Sequence, residues 1–332
     1  MRLRYLIALL LSSFAAAEQS IADRYADCLV TEIQRAEKSE TVEAVKNRCA
    51  AYNVEQVSPD TPAEAGPAGL ISERIDLESS AADNRFSILP HKKSYILPVT
   101  YNSKPNNQPF EMENGESDLD NYELKFQFSF KTELFDTLFR ERDGLYFAYT
   151  NQSYWQYLDS ENSGPIRDTN HQPELFFEFQ RNLNLGSWHL PLIRAGWAHQ
   201  SNGQSAGLSR SWNRLYGEVM LERDNWAISL RPWLVVNGVT AEQDSEDIDD
   251  FMGNFELEIF RQNQASSTSL LFRNNLQAEN RGAVEINWSR PFPYSNKVRL
   301  LLQYFYGYGE SLIDFDKVTN RIGIGLQLND FL

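Results

Sequence analysis

The sequence predicts an all-β fold, namely a twelve-stranded antiparallel transmembrane β-barrel with a short helical N-terminal extension. Three observations predict it. From about residue 95 onward, apolar and polar residues alternate with period two, as in strands that have one apolar and one polar face. The segments are about 10–12 residues long, the length that a tilted strand needs to span a bilayer. Tyrosine and tryptophan gather at segment ends, as in Ser153-Tyr154-Trp155, which is typical of the aromatic girdles of membrane barrels.

The N-terminus predicts a secretory signal. The first residues, MRLRYLIALLLSSFAAAEQS, place two arginines before an apolar stretch from Tyr5 to Ala17 that ends in small residues. A stretch of roughly 13 residues is too short for a membrane helix and suits the apolar region of a signal. We therefore expect residues 1–17 to be a signal peptide and the mature protein to leave the cytoplasm. No later stretch approaches 18 consecutive apolar residues, so we expect no helical membrane span.

Residues 18–56 predict a helical periplasmic extension, because they are rich in Ala, Glu, Lys and Arg and contain neither Pro nor Gly. Both cysteines of the chain, Cys28 and Cys49, lie here. A single pair in an exported protein most simply forms one disulfide, and two buried unpaired thiols are the alternative. Residues 57–90 include SPDTPAEAGPAGLI, whose composition predicts a linker. The barrel is then expected over 91–332.

Twelve segments of the barrel region carry the alternation. In YELKFQFSFK, apolar residues take every second position from Tyr122 to Phe130, and VRLLLQYFYGY and RIGIGLQLN repeat the pattern. Bacterial membrane barrels have even strand numbers, which agrees with this count. The other nine segments lie near 93–101, 144–157, 171–182, 187–200, 211–222, 225–237, 251–262, 266–278 and 281–290.

Alternation by itself also fits a soluble sandwich or a closed carrier barrel. A sandwich buries its apolar faces against another sheet, whereas a membrane barrel turns them to lipid and turns its polar faces to the lumen. Segment length, aromatic ends and the expected export favour the membrane barrel.

The charge of the chain excludes one class of partner. Its formal net charge is −15 at pH 7. Phosphate backbones are bound by clustered lysine and arginine, so we expect no nucleic-acid partner.

One stretch, HQSNGQSAGLSRSWN over residues 199–213, contains a serine-hydrolase motif. Its GQSAG portion, centred on Ser205, fits the G-x-S-x-G pattern of a nucleophile elbow. In that motif a strand turns sharply into a helix and exposes the serine. The segment that follows here, SWNRLYGEVMLER, alternates with period two and predicts a strand. We therefore expect Ser205 to lie in a hairpin loop and its motif to be accidental.

The same stretch holds a second candidate nucleophile. Residues i and i+2 project from one side of a strand, so His199 and Ser201 share the apolar face of PLIRAGWAHQS with Trp197. Asn213 lies on the apolar face of the next strand. The three polar groups are thus predicted at adjacent ends of one hairpin, on a face meant for lipid. Polar groups are costly there without a compensating role.

These three residue types have complementary chemistry. A serine attacks an acyl carbon when a histidine accepts its proton, and an amide can hold the imidazole in one tautomer. The strand phase therefore fits a triad of Ser201, His199 and Asn213. By spacing alone, a histidine and a serine that bind headgroups at the interfacial rim explain the pattern equally well.

Longer motifs surround the three candidates and extend to the end of the chain. They are His199-x-Ser201-Asn202-Gly203, Ser209-Arg210-Ser211-Trp212-Asn213-Arg214-Leu215-Tyr216, Pro232-Trp233, Arg167-x-Thr169-Asn170 and Gly307-Tyr308-Gly309-Glu310-Ser311-Leu312-Ile313-Asp314. With these motifs the chain resembles the outer-membrane phospholipase A family over about residues 91–332. The resemblance implies calcium-dependent hydrolysis of glycerophospholipid acyl esters at the sn-1 and sn-2 positions, and of lysophospholipids. It also implies a homodimer in the bacterial outer membrane.

The resemblance also implies site roles. Ser201 is the expected nucleophile, His199 the general base and Asn213 the orienting residue. The backbone N–H of Gly203 is expected to help stabilise the oxyanion, together with one calcium ion per active site that two subunits share.

Four calcium ligands are implied by the same resemblance. They are the Gln204 carbonyl, the Ser209 hydroxyl, Ser163 from the partner subunit and an acidic residue in AEQDSEDIDD. That loop carries an insertion relative to the family, so Asp244 and Asp247 both fit the acidic position, and Asp244 is the expected ligand.

A dimer interface is expected around Asn151. In LYFAYTNQSYW this amide shares the apolar face with Leu145, Phe147 and Tyr149. Pairing with its twin across a two-fold axis would satisfy an amide that otherwise faces lipid. The alternative is that Asn151 already lies at the aqueous rim.

Two other functions fit parts of the pattern. A passive porin or fatty-acid channel would share the barrel but would not require His199, Ser201 and Asn213 to coincide. A soluble secreted esterase would use the three residues without the membrane.

Overall fold

The structure is a computed structural model, and it divides into two units, Met1–Ala65 and Gly66–Leu332. The expected signal peptide lies outside the residues that the structure describes. The described residues are 28, 30–32, 49, 69–82, 87–110, 119–139, 142–158, 166–236 and 247–328.

In the first unit, Cys28 and Cys49 are joined by a disulfide. This confirms the pairing expected for an exported chain, and no described cysteine is free. The rest of the predicted extension lies almost entirely outside the described residues.

The second unit is a closed antiparallel β-barrel of twelve strands, as predicted. Strands β2 to β13 each pair with their sequence neighbours, and β13 pairs with β2 to close the sheet. A two-residue strand, β1, adds to the edge of β3. In order, the strands are β1 Leu89–Pro90, β2 Tyr95–Asn102, β3 Tyr122–Phe135, β4 Asp143–Trp155, β5 Ile166–Leu185, β6 Trp188–Ser201, β7 Ser211–Arg223, β8 Trp226–Val235, β9 Phe255–Gln262, β10 Ser267–Asn274, β11 Gly282–Phe292, β12 Ser295–Tyr308 and β13 Val318–Gln327.

The barrel turns its apolar faces outward. On β3, Phe128 is 49% exposed, whereas the alternating residues Lys125 and Lys131 are fully buried, and on β13 Ile324 is 58% exposed. A soluble sandwich or carrier barrel would bury the phenylalanine and isoleucine and solvate the lysines. The inside-out arrangement is that of a barrel surrounded by lipid. It excludes the soluble alternatives for the fold.

Buried ion pairs fill the polar interior. Arg167 Nε lies 2.6 Å from Glu123 Oε1, and Glu310 lies 2.8 Å from Arg321 Nε and 2.9 Å from Lys125 Nζ. Charged groups in a low-dielectric interior are tolerated when they are paired and hydrogen-bonded. The Arg167–Glu123 pair joins two strands of the wall, and the two Glu310 pairs join the segment after β12 to the wall, so these pairs stabilise the barrel from within.

Helix α1, Leu70–Ala82, precedes the barrel and packs against inward-facing residues near one of its ends. Its buried Ile71 and Ile75 contact a cluster that includes Leu192 and Met220. The structure differs here from the expected linker over 57–90. Residues 70–82 contain no proline, and Ile71 and Ile75 are four positions apart, so they lie on one face of a helix.

The first turn of α1 is capped by a strand residue of the barrel. Glu222 Oε2 accepts hydrogen bonds from the backbone N–H groups of Ile71, at 2.7 Å, and Ser72, at 3.1 Å. The Ser72 hydroxyl also donates to this carboxylate, and His189 Nδ1 lies 2.9 Å from it. A helix leaves its first N–H groups without internal partners, and a carboxylate there also favours the helix dipole.

Glu222→Ala is therefore expected to lower the free energy of unfolding of the barrel by about 1–3 kcal/mol, because several buried donors lose their acceptor. Guanidinium unfolding of the refolded protein in detergent measures the change. Glu279→Ala is the matched control, since the Glu279 side chain is 80% exposed and pairs only with neighbouring Arg281. Equal unfolding midpoints for the two variants would refute the capping role.

A short helix, α2 Ile248–Met252, replaces the start of the strand predicted over 251–262. Its buried Ile248 and Met252 pack into a cluster with Leu312, and Gly253 ends it with φ of 79°. A side chain at 253 would meet the backbone of a neighbouring strand, so only glycine fits. None of the helices in the described ranges is long and apolar enough to cross a membrane.

Candidate active site

The hairpin of β6 and β7 carries the three candidate residues on its outer face. His199 is paired with Asn213 across the two strands, and Ser201 is paired with Ser211. Neighbouring residues show which face of the hairpin is outward: Trp197 is 40% exposed and Leu215 is 50% exposed, both on the lipid-facing side. His199 and Ser201 share that face with Trp197, as the sequence predicts.

A hydrogen bond joins two of the three candidates. His199 Nδ1 and Asn213 Oδ1 are 3.0 Å apart. An amide oxygen can only accept, so Nδ1 carries the proton and donates, which leaves Nε2 of the neutral ring unprotonated. The Trp197 ring stacks beside the imidazole, with centroids 6.2 Å apart and planes inclined by 19°. The ring is therefore held in the tautomer that a general base requires.

Ser201 follows His199 by two positions and is half-buried on the same face. Within the described hairpin no hydrogen bond joins its hydroxyl to the imidazole. The structure thus brings His199 and Asn213 into contact and places Ser201 next to them. Such contacts commonly tighten only when substrate is bound.

The loop after Ser201 is held by the Asn202 side chain and by the Arg210 guanidinium, which donates to the carbonyls of Gly207 and Ser209. Asn202 Oδ1 accepts from the backbone N–H of Arg210 at 2.9 Å, and its Nδ2 donates to the Leu208 carbonyl at 2.8 Å. Gly203 has φ of 63°, which favours glycine. Ser205 is exposed and precedes only a three-residue 3-10 turn, Ala206–Leu208, before β7 begins. No nucleophile elbow forms, in agreement with the sequence-based expectation.

The structure adds a residue that the sequence analysis did not identify. His171 on β5 is paired with Ser201 on one side and with Asn151 of β4 on the other. Its Nδ1 lies 2.6 Å from the Tyr149 hydroxyl. The sequence feature that could have identified His171 is the alternation of β5, which places it on the same exposed face as Leu175. Asn151, His171 and Ser201 therefore form a polar row across three strands of the outer face.

A family model and several known proteins match this chain. The model described as Phospholipase A1 matches residues 71–328. The Phospholipase A1 of Proteus vulgaris is 35% identical over 273 residues, which cover 82% of this chain and 89% of that protein.

The chain belongs to the phospholipase A1 family.

Solved structures agree with the match in sequence. The outer membrane phospholipase A from Escherichia coli has a TM-score of 0.71 and 34% sequence identity, covering 75% of this chain and 95% of that one. The Salmonella typhi outer membrane phospholipase, solved as a dimer with bound calcium, has a TM-score of 0.70 and 34% identity, covering 75% and 94%. The matched fold and the inside-out barrel place this phospholipase in the outer membrane.

Family membership decides among the functions considered from the sequence. The chain is a phospholipase, so the passive porin or channel and the soluble esterase are both set aside. The family match begins at residue 71, so it includes α1 as well as the barrel.

The calcium ligands expected for this phospholipase lie only partly within the described residues. Gln204 and Ser209 belong to the loop that Asn202 holds, whereas Ser163 and Asp244 fall outside the described ranges. Asp247 is described and lies at the N-cap of α2. The described residues contain no group of three His, Cys, Asp or Glu that could hold a metal. The expected set consists of oxygen donors alone, which is the chemistry that calcium prefers.

Proposed function

We propose that this phospholipase hydrolyses glycerophospholipid acyl esters, at the sn-1 and sn-2 positions, and lysophospholipids, with a Ser201–His199–Asn213 triad. The observation that carries the proposal is the 3.0 Å bond between His199 Nδ1 and Asn213 Oδ1 on the lipid-facing surface, beside Ser201. A polar pair on such a surface is costly unless it has a role. The E. coli protein has also been solved as an active-site mutant in which an asparagine is replaced by alanine.

In the proposed reaction, the Ser201 hydroxyl oxygen attacks the ester carbonyl carbon and its proton passes to His199 Nε2. The imidazolium then donates that proton to the departing alcohol oxygen of the lysophospholipid. A water molecule, deprotonated by the same imidazole, then attacks the acyl carbon; the bond from that carbon to the Ser201 oxygen breaks, the imidazolium returns its proton to this oxygen, and the fatty acid is released. Asn213 keeps the ring aligned throughout by accepting from Nδ1–H.

The position of the triad suits a substrate that arrives through the membrane. Trp197, Leu215 and Val219 are exposed apolar residues of the same hairpin, facing the acyl chains of surrounding lipid. The acyl chains of a substrate therefore stay in an apolar environment while its ester moves within the membrane to Ser201. The triad lies near the strand ends, where headgroups and ester carbonyls are found.

Calcium is proposed as the cofactor, with the Gln204 carbonyl, the Ser209 hydroxyl, Asp244 and the partner subunit's Ser163 as ligands. When bound, it supplies positive charge beside the oxygen that becomes negative in the tetrahedral intermediate. The Gly203 N–H donates to the same oxygen. The Asn202 hydrogen bonds support this role because they fix the loop that carries Gly203 and both described ligands.

Activation by homodimerisation is part of the proposal. Asn151 is half-buried on the outer face, in the polar row two strands from Ser201, and thus roughly 10 Å away from it. An amide at this place can pair with its twin across a two-fold axis. The interface would then lie next to the site, so that the partner can complete it.

Calcium removal tests the cofactor and the dimer together. In excess chelator, hydrolysis of phospholipids labelled at sn-1 or at sn-2 is expected to fall about 10²-fold or more, because an electrostatic stabiliser of the oxyanion is lost. Sedimentation in detergent should show a dimer with calcium and a monomer without it. Full activity in the chelated sample would refute the requirement for calcium. An active monomer would refute activation by dimerisation.

Labelling with a long-chain alkylsulfonyl fluoride identifies the nucleophile independently. With calcium present, peptide mass spectrometry should find the label on Ser201 and not on Ser205, Ser209 or Ser211. A label on any of the other three serines would overturn the proposed triad.

A further inference from the structure

We propose that His171 is a further catalytic residue, whose Nε2–H donates a hydrogen bond to an anionic oxygen of the substrate beside Ser201. This inference rests on the proposed function, since it takes Ser201 as the nucleophile.

The position of His171 is the first argument. It is the register partner of Ser201 on the neighbouring strand, and both side chains are on the outer face. Directly opposed residues on one face have Cβ atoms about 4.5–5.5 Å apart. His171 also lies beside the proposed oxyanion donor, because a Cβ built on Gly203 would lie 3.8 Å from its Cδ2 and 3.9 Å from its Nε2. The Nε2 edge of the ring thus faces the loop where the oxyanion forms.

The hydrogen bond to Tyr149 is the second argument. His171 Nδ1 lies 2.6 Å from the phenol oxygen. A phenol is a good donor and an imidazole nitrogen a good acceptor, so the proposal assigns the neutral ring the tautomer in which the hydroxyl donates to Nδ1 and the proton is on Nε2. In the charged ring both nitrogens carry protons. In either state Nε2 is a donor.

The unused donor is the third argument. Among the described residues, none accepts a hydrogen bond from His171 Nε2. An N–H group on this outer face that has no acceptor within its own chain is costly, so its retention here favours an acceptor supplied by the substrate. The ring cannot turn to find another, because Tyr149 holds its opposite nitrogen.

Two anionic oxygens of a phospholipid could be the acceptor. The tetrahedral intermediate carries an oxyanion in every ester substrate, whereas the phosphate is present only in phospholipids. A neutral ester therefore separates the two sources.

The test measures kcat and KM of His171→Phe on phosphatidylcholine and on a p-nitrophenyl acyl ester, in the same detergent with calcium. If the acceptor is the oxyanion, kcat is expected to fall about 10²-fold on both substrates, with little change in KM. If it is the phosphate, the loss is confined to phosphatidylcholine. Unchanged kinetics on both substrates would overturn the proposal.

Conservative variants separate donation from packing. His171→Gln places an amide N–H near the position of Nε2 and should recover much of the lost kcat, whereas His171→Asn is too short and should not. Equal activity of these two variants would overturn the proposal, and this comparison remains decisive if His171→Phe fails to fold. Tyr304→Phe is the matched control, since Tyr304 is an outward tyrosine on β12 and should keep wild-type kinetics.

A parallel measurement on Ser201→Ala distinguishes a failure of the proposed function from a failure of the proposed role of His171. If this variant keeps its activity on both esters, the proposed function fails, whatever His171 does. If it is inactive while His171→Phe has wild-type kinetics, only the inference about His171 fails.

Discussion

Replacing Ser201 with alanine is expected to lower kcat for phospholipid hydrolysis by about 10⁴-fold or more, because the acyl-enzyme can no longer form. The residual rate should come from oxyanion stabilisation and substrate binding alone. The barrel itself should be unaffected, since the Ser201 side chain is half-buried at a strand end and makes no hydrogen bond that the described residues show.

Release of fatty acid from phosphatidylcholine, in detergent with calcium, measures this effect. Ser205→Ala is the matched control, because Ser205 is an exposed serine of the loop that follows Ser201 and carries the G-x-S-x-G match. We expect wild-type kcat for Ser205→Ala. The opposite result, an active Ser201 variant with an inactive Ser205 variant, would show that the motif and not the strand phase marks the nucleophile.

The barrel was predictable because its strands repeat one signal many times. Alternation over twelve segments determines which residues face out, and the segment lengths distinguish a membrane barrel from a sandwich. Helices α1 and α2 were not predictable in the same way. Residues 70–82 form a helix because of contacts with the barrel, including the Glu222 cap, and α2 is too short to show a period.

The sequence alone predicts which face of a strand a candidate residue lies on, but it does not predict which residues of neighbouring strands lie side by side. His199 and Ser201 are on one strand, so their common face follows from period two alone. The neighbourhood of His171 and Ser201 depends on how β5 and β6 pair, and that pairing shifts between Gln180 and Leu183. A bulge of this kind cannot be located from alternation, so the polar row was visible only in the structure.

Interior ion pairs show the same limit. The alternation predicts that Lys125 faces the lumen, but its partner Glu310 is 185 residues away, beyond β12. Many charged residues share the lumen phase, and their pairing depends on the curvature and closure of the sheet. The sequence therefore predicts that the interior is polar, but it does not predict which charged residues pair with each other.

The second large effect is expected at the general base. His199→Phe keeps an aromatic ring beside Trp197 and removes the nitrogen that accepts the serine proton, so kcat should again fall by about 10⁴-fold. Asn213→Ala should cost less, because the imidazole remains present and loses only its alignment. Fatty-acid release under the same conditions as for Ser201→Ala provides the comparison.

The double variant Ser201→Ala/His199→Phe makes the argument specific to a triad. A base without its nucleophile contributes nothing, so the double variant should be as active as either single variant, not 10⁴-fold less active. Two residues that only bound headgroups at the membrane rim would lower activity independently, and their losses in free energy would add. Additive losses in free energy would therefore contradict the triad. They would support the alternative in which His199 and Ser201 bind headgroups at the interfacial rim.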